Sequence, residues 1–433
     1  MQVLQKNDKK LIRSWSMYDW ANSAYNLVIT STIFPAYYTA ITHTQEHGDH
    51  VLFFGIKVIN TALSNFALAI AYLLMAISLP FISSYADIQG KKKPLMIFFT
   101  YLGALSCMGL FFFRLETLEV SVILFGIAAM GYIGGVLFNN SYLPEIASVD
   151  QQDRVSAKGF AYGYVGCVTL QLICLVFILK PEWFGISDPS FGPRLSFLLV
   201  GVWWAAFATI PFKALPNNKK QDVRASRNLF KTVVLEFRIV QRKIKNISAI
   251  RRFLPAYFFY SAGVQTVMIV AAAFGAKELN LDSSKLIVTI LLIQLLAIAG
   301  ALIMSWLSKL FGNITTLLFV VCVWIGICIA AFYIQTEVHF YVIACLVGLV
   351  MGGIQSLSRS TYSKFLPANI KDTASFFSFY DVTEKLAIVL GLVSFGVIEQ
   401  ITGNIRLSAV SLSIFFILGF ILLLKVLKFN KVA

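Results

Sequence analysis

The chain has 433 residues, 58% of them hydrophobic and 13% charged, with a formal net charge of +15. Apolar runs of about 20 residues, the length that crosses a hydrocarbon core, recur from one end to the other and exclude an ordinary soluble enzyme. The excess of Lys and Arg lies between alternate runs instead of in one patch, so it reads as membrane topology and not as a nucleic-acid surface.

Twelve spans are expected: 16–42, 52–79, 94–113, 119–143, 157–179 and 195–213, then 252–276, 285–308, 314–334, 338–358, 374–398 and 407–427. Basic residues gather at Lys6, Lys9, Lys10 and Arg13, at Lys91–Lys93, in the stretch 213–252, which holds twelve, and at Lys425, Lys428 and Lys431. An even number of crossings puts all of these on one face, and both termini are therefore expected in the cytoplasm of a plasma-membrane protein. The first apolar stretch is too long for a signal-peptide core and is expected to be retained. All six cysteines fall within spans, so neither disulfides nor a cysteine metal site is expected.

The polar interruption divides the chain into a six-helix bundle at 1–213, a linker at 214–251 and a second six-helix bundle at 252–433. Within the linker Phe230, Val233, Val234, Phe237, Val240 and Ile244 recur at helical spacing opposite Lys231, Arg238, Arg242, Lys243 and Lys245. This pattern predicts an amphipathic helix lying on the anionic cytoplasmic leaflet, with membrane lipid as its partner. The pairs Gly131/Gly135, Gly159/Gly163 and Gly348/Gly352 are spaced for close helix packing.

Polar groups inside apolar spans are costly and mark functional sites by default. The first span carries Asp19, Asn22 and Asn26 on one helix face, with Tyr25 beside them. Asn139 follows in the fourth span, Gln171 in the fifth, Gln265 in the seventh, Gln294 in the eighth and Gln355 in the tenth. These amides, with Asn22, Tyr25 and Asn26, are the expected solute-binding groups of a polar cavity between the bundles. The eleventh span carries Asp381, Glu384 and Lys385. Asp381 and Lys385 stand at i, i+4 with the acid first, a favourable ion-pair orientation, which leaves Glu384 as the unpaired acid able to take up and release a proton. Asp381 is its rival for that role. Asp19, Asp87, Lys91, Glu145 and Arg359 are the expected gating charges near the inner surface.

His43-Thr44-Gln45-Glu46-His47 spells a zinc-hydrolase motif, but it lies in a short outer loop without a third ligand, and no metal or other cofactor is expected. No phosphate loop or nucleophile triad points to ATP or to an enzyme.

Asp87-Ile88-Gln89-Gly90-Lys91-Lys92-Lys93 resembles the signature loop of the major facilitator superfamily, with Ser83 in place of its first glycine. The resemblance implies a helix-end contact and charge relay that stabilise one access state, carried by Asp87 and Lys91. Tyr18-Asp19-Trp20-Ala21-Asn22-Ser23-Ala24-Tyr25, Phe253-Leu254-Pro255-Ala256-Tyr257 and Gly352-Gly353-Ile354-Gln355-Ser356-Leu357-Ser358-Arg359 look like the vacuole-effluxer-like branch of that superfamily. Ser261-Ala262 depart from it where a basic residue and an acid are expected. The branch includes fungal vacuolar amino-acid effluxers. Resemblance to it implies an all-α integral membrane fold of twelve helices in two pseudo-symmetric bundles, acting as a monomeric secondary transporter. The expected cargo is a small polar solute such as an amino acid or short peptide, moved inward by proton symport. A proton-driven exporter, a non-transporting receptor and a membrane-embedded enzyme are the alternatives.

Overall fold

The computed structural model describes residues 5–44, 48–218, 220, 229–367 and 370–432. Among the described residues, eleven helices are long and apolar enough to span a membrane. The first span is the twelfth, and it is built in three pieces: Lys9–Ala24, a π-helical stretch Tyr25–Thr32, and Ile33–Thr42. Asp8 caps its start, accepting from the amides of Lys10 and Leu11. Within the widened stretch the hydroxyls of Ser31 and Thr32 donate to the carbonyls of Asn26 and Leu27, five residues back, at 2.9 and 2.7 Å. Such π segments are concentrated at functional sites.

The second span runs Asn60–Gln89 and not from residue 52 as expected. Residues before it form an antiparallel hairpin, His50–Phe53 with Ile56–Ile59, turned by Phe54 and Gly55 at φ of 47° and 79°. Two consecutive positive φ values are the signature of a two-residue hairpin turn, so the apolar residues here pair as strands. The remaining spans are Lys92–Gly109, Leu118–Ser141, Gln152–Leu179, Phe191–Ala214, Ser248–Leu279, Ser283–Phe311, Asn313–Phe332, Glu337–Lys364, Thr373–Thr402 and Ile405–Phe429.

The buried apolar residues divide into two large cores. One centres on Trp15, Phe34, Phe125 and Trp204, the other on Trp324, Tyr362, Phe377 and Phe416. Close crossings inside each depend on missing side chains: a Cβ on Gly131 would come within 2.5 Å of the Gly103 backbone, and one on Gly352 within 2.0 Å of the Ala297 carbonyl. Between the two cores the second span packs along the eleventh and the fifth along the eighth.

The linker helix, Leu229–Asn246, forms as its periodicity predicts, but its apolar side meets protein instead of lipid. Val233, Val240 and Ile244 are buried, and the Phe237 ring lies between Phe81 of the second span and Phe379 of the eleventh, with centroids 5.1 and 5.7 Å away. Lys243 pairs with Asp372 at 2.6 Å. The helix is thus a strap across both bundles, with Lys231, Arg238, Arg242 and Lys245 exposed on its outer side.

Candidate functional site

A cavity of about 170 Å³ lies between the bundles. The first span presents Asn22 and Asn26 to it, the seventh Gln265, the eighth Gln294 and the tenth Gln355. Asp381, Glu384 and Lys385 face it from the eleventh span. Three of the expected binding residues do not reach it. The Tyr25 ring is packed against Tyr132 and Trp204, with centroids 5.1 and 5.8 Å away, and its hydroxyl has no partner. Gln171 is buried and accepts a hydrogen bond from Thr32 at 2.9 Å, bracing the π-helical stretch. Asn139 donates to Asp19 Oδ1 at 3.2 Å while its carbonyl accepts from Trp15 Nε1 at 2.8 Å. These three residues hold the frame of the cavity, not its surface.

The charged cluster is paired differently from the expectation. Lys385 binds Glu384 at 2.8 Å, and Gln265 donates to the other Glu384 oxygen at 2.9 Å. Glu384 is thus held by its sequence neighbour and by an amide from the seventh span, and Asp381 is left as the acid without a counter-ion bond. Its Oδ2 is buried and has no hydrogen-bond partner, as do Asn22 Nδ2 and Gln294 Oε1. Each such group forfeits about 1–3 kcal/mol unless water or a ligand meets it. An acceptor, a donor and a carboxylate all left open in one cavity describe a place for a solute with both donors and acceptors.

Tyrosines complete the walls. Tyr72 and Tyr132 come from the first bundle, and the stacked pair Tyr257 and Tyr380, 4.3 Å between centroids, from the second. The only signal in the sequence for the first two is a polar-tipped ring inside an apolar span. Tyr164 crosses between bundles to donate to Gln355 Oε1 at 2.8 Å.

On the side of the cavity nearest the two termini the bundles are locked by buried polar contacts. Arg359, 3% exposed, donates through Nη1 to Asp19 at 3.2 Å and Asn140 at 3.0 Å, and through Nε and Nη2 to the side chain and carbonyl of Ser156 at 2.9 and 2.8 Å. Its guanidinium lies against the Trp15 and Phe160 rings. Gly159 leaves room for this pair, since a Cβ there would stand 2.4 Å from Asp19 Oδ2 and 2.8 Å from Arg359 Nη2. Gly159 therefore shapes the site as well as the packing.

A second lock holds Asp153, at the start of the fifth span, between Lys364 at 2.5 Å, Asn313 at 2.7 Å and Ser308 at 3.0 Å. In a third, Asp87 accepts from the amide and hydroxyl of Ser375, both at 2.7 Å, and more weakly from the Ala374 amide. The carboxylate so caps the first turn of the eleventh span, where helix N–H groups lack internal partners. Lys91 is not the basic partner in this lock: it bonds Tyr85 and stays exposed. Lys92, 1% exposed, reaches inward instead and binds Glu145 and Thr373. A run of three lysines gave no means of telling which one faces the protein.

The ion pairs on the opposite side stay within one bundle, as in Arg194 with Asp188, Lys277 with Glu399 and Arg406 with Glu278. The three polar locks therefore close the terminal side. In the loop after the first span His43 meets Asp49 at 2.7 Å, while Gln45, Glu46 and His47 lie outside the described residues.

A cavity between two packed bundles, locked at one end by exchangeable polar contacts, is the layout of an alternating-access carrier. The family description "Vacuole effluxer Atg22 like" matches residues 7–431. The chain belongs to this family. It is 30% identical to an uncharacterized MFS-type transporter, YxiO, of Bacillus subtilis (strain 168), over 97% of this chain and 95% of that one. Autophagy-related protein 22-1 of Penicillium rubens is 28% identical over 60% of this chain and 47% of its own length, so the match spans about half of that relative. Among solved structures, the proton:xylose symporter XylE bound to 6-bromo-6-deoxy-D-glucose superposes with a TM-score of 0.70 at 12% identity, over 96% of this chain and 95% of that one. FucP in the outward conformation gives 0.66 at 12% identity, over 96% and 97%. These likenesses fix the fold as the twelve-helix major facilitator fold, and the chain is an MFS-type transporter and not an enzyme.

Proposed function

We propose that the chain is a proton-coupled symporter of a small zwitterionic solute, an amino acid or short peptide, working as a monomer in the plasma membrane with both termini in the cytoplasm. The observation that carries the reading is the unpartnered Asp381 carboxylate beside the Lys385–Glu384 pair, in one cavity with open amides from both bundles. Acid and base side by side suit a solute that bears both charges. The cavity volume is below the roughly 300 Å³ from which sites for drug-sized ligands begin, which favours a small cargo. The basic segments at the termini and in the linker support the orientation, and the exposed basic side of the strap suits anionic headgroups.

In this reading residues 1–213 and 252–433 rock as units about the cavity. The Asp19–Arg359, Asp153–Lys364 and Asp87–Ser375 locks hold the cytoplasmic end shut until the loaded carrier turns. The acids of the eleventh span carry the proton. A thermal-shift screen of the purified protein against the twenty amino acids, dipeptides, sugars and carboxylic acids tests the cargo. Stabilisation by amino acids or dipeptides is expected, and a response confined to sugars or plain carboxylic acids overturns it.

A further inference from the structure

The eleventh span offers three charged groups but only one direct ion pair. Lys385 is bonded to Glu384, and Asp381, one helical turn away and also in the cavity wall, has a buried oxygen with nothing to accept from. Two acids share one base, so the empty cluster carries one uncompensated negative charge. Resting on the zwitterion reading above, we propose that Lys385 is an exchangeable counter-ion: it leaves Glu384 for the carboxylate of the incoming solute, and the freed Glu384 takes the coupled proton.

The solute's ammonium donates to Asp381 Oδ2, the acceptor the protein leaves open. Its carboxylate is then drawn to the nearest cation that is not already saturated. Arg359 is already engaged: four of its five N–H groups bond Asp19, Asn140 and Ser156, and Asp19 is its counter-ion. Lys385 is available, since a rotation of its long side chain trades one carboxylate for another.

Glu384 then keeps only the neutral Gln265 amide, at 2.9 Å. The other titratable groups lining the cavity are Tyr72 from the second span, Tyr132 from the fourth, Tyr164 and Cys167 from the fifth, Tyr257 and Tyr260 from the seventh, and Tyr380 and Asp381 from its own helix, with the Asp19–Arg359 pair at the locked end. None of the phenols is a cation, and Asp381 is by then paired with the ammonium. With the solute filling the cavity, its carboxylate stands beside Glu384 and takes the Lys385 charge, and of two carboxylates so placed around one base one binds a proton. The balance is one neutral zwitterion and one proton bound together: the proton comes from the outer solution, sits on Glu384, and leaves when the carboxylate departs inward and Lys385 returns. The loaded cluster is electrically neutral, which eases its passage through the closed state, and the coupling is one proton per solute.

The arrangement separates two halves of the ligand. A solute with the amine but no carboxylate can occupy Asp381 without displacing Glu384, and should bind without taking up a proton. The experiment compares each of the twenty amino acids with its decarboxylated amine, measuring thermal stabilisation and, in weakly buffered detergent solution with a pH indicator, the protons taken up on binding. Uptake near one proton per bound amino acid and near zero per bound amine is expected. Glu384→Gln should keep amino-acid binding and abolish proton uptake. Lys385→Met should weaken amino-acid binding about tenfold or more, as loss of one partner of a buried charge pair does, while leaving amine binding within a few-fold.

Equal proton uptake by an amino acid and its amine overturns the exchange, as does uptake that persists in Glu384→Gln. Equal loss of both ligands in Lys385→Met, with the protein still folded by its thermal transition, shows a structural lysine and also overturns it. Amino-acid binding with no proton uptake in the unmodified protein sinks this inference alone, whereas no stabilisation by any amino acid sinks the zwitterion reading and this inference with it.

Discussion

Replacing Asp87 by Ala removes the cap from the eleventh span and should open the locked side of the cavity. The carboxylate accepts two hydrogen bonds at 2.7 Å, from the amide and hydroxyl of Ser375, and both cross between the bundles. Bonds to a charged acceptor contribute about 1.5–3 kcal/mol each, and a carboxylate at a helix start adds up to ~2 kcal/mol. Against this stands the dehydration of a carboxylate that is 4% exposed when the side is closed. The net loss for the closed form is then about 2–3 kcal/mol, a shift of ~30- to ~150-fold in the access equilibrium. Ser375→Ala keeps the backbone donor and the charge at the helix start, so it should shift the equilibrium less than Asp87→Ala does. Spin labels at Asp150 and Lys371, exposed on different bundles, report the separation by pulsed electron resonance. A distance distribution unchanged by Asp87→Ala, or a larger change from Ser375→Ala, refutes the capping argument.

Gly159→Ala places a methyl 2.4 Å from Asp19 Oδ2 and should force the Asp19–Arg359 pair apart; a loss of about 1–3 kcal/mol is expected for this overpacking, read as a lower thermal midpoint together with loss of solute uptake. Phe237→Ala removes the half-buried ring between Phe81 and Phe379 and should loosen the strap by about 1–2 kcal/mol, measured as faster proteolysis in the linker at unchanged expression. Burial, and after it the neighbouring Asp372, hold the Glu236 carboxyl on the strap above its ordinary value, with Lys243 opposing. A raised acid binds its proton more tightly in the docked helix, so docking is firmest below the ordinary glutamate range and weakens as pH rises through the docked value. Glu236→Gln should flatten that dependence, checked by fluorescence transfer between the strap and the second span across pH.

Hydropathy made the spans legible because each must hide about 20 residues from water. The same criterion misplaced the start of the second span, because the Val51–Ile59 stretch is as apolar as a span but turns at Phe54-Gly55, and it gave no sign of the π-helical stretch Tyr25–Thr32 inside the first. The cavity amides could be read from their depth in their spans, apart from Asn139 and Gln171, whose rotation about the helix axis points them into the frame. Pairings were the illegible part. Arg359 and Asp19 lie 340 residues apart, and Lys385 pairs with Glu384, which Gln265 on another helix also holds, and not with Asp381. No local spacing encodes such choices, since they are made by which helices the fold brings face to face.

Proton-coupled uptake itself can be measured with the purified protein in liposomes, with labelled amino acids outside and an inward proton gradient imposed by acid outside. One or a few amino acids should accumulate above their outside concentration, and a protonophore or Asp381→Asn should abolish the accumulation. Accumulation that is indifferent to the gradient, or none for any amino acid in protein that has kept its thermal transition, contradicts proton symport of a zwitterion.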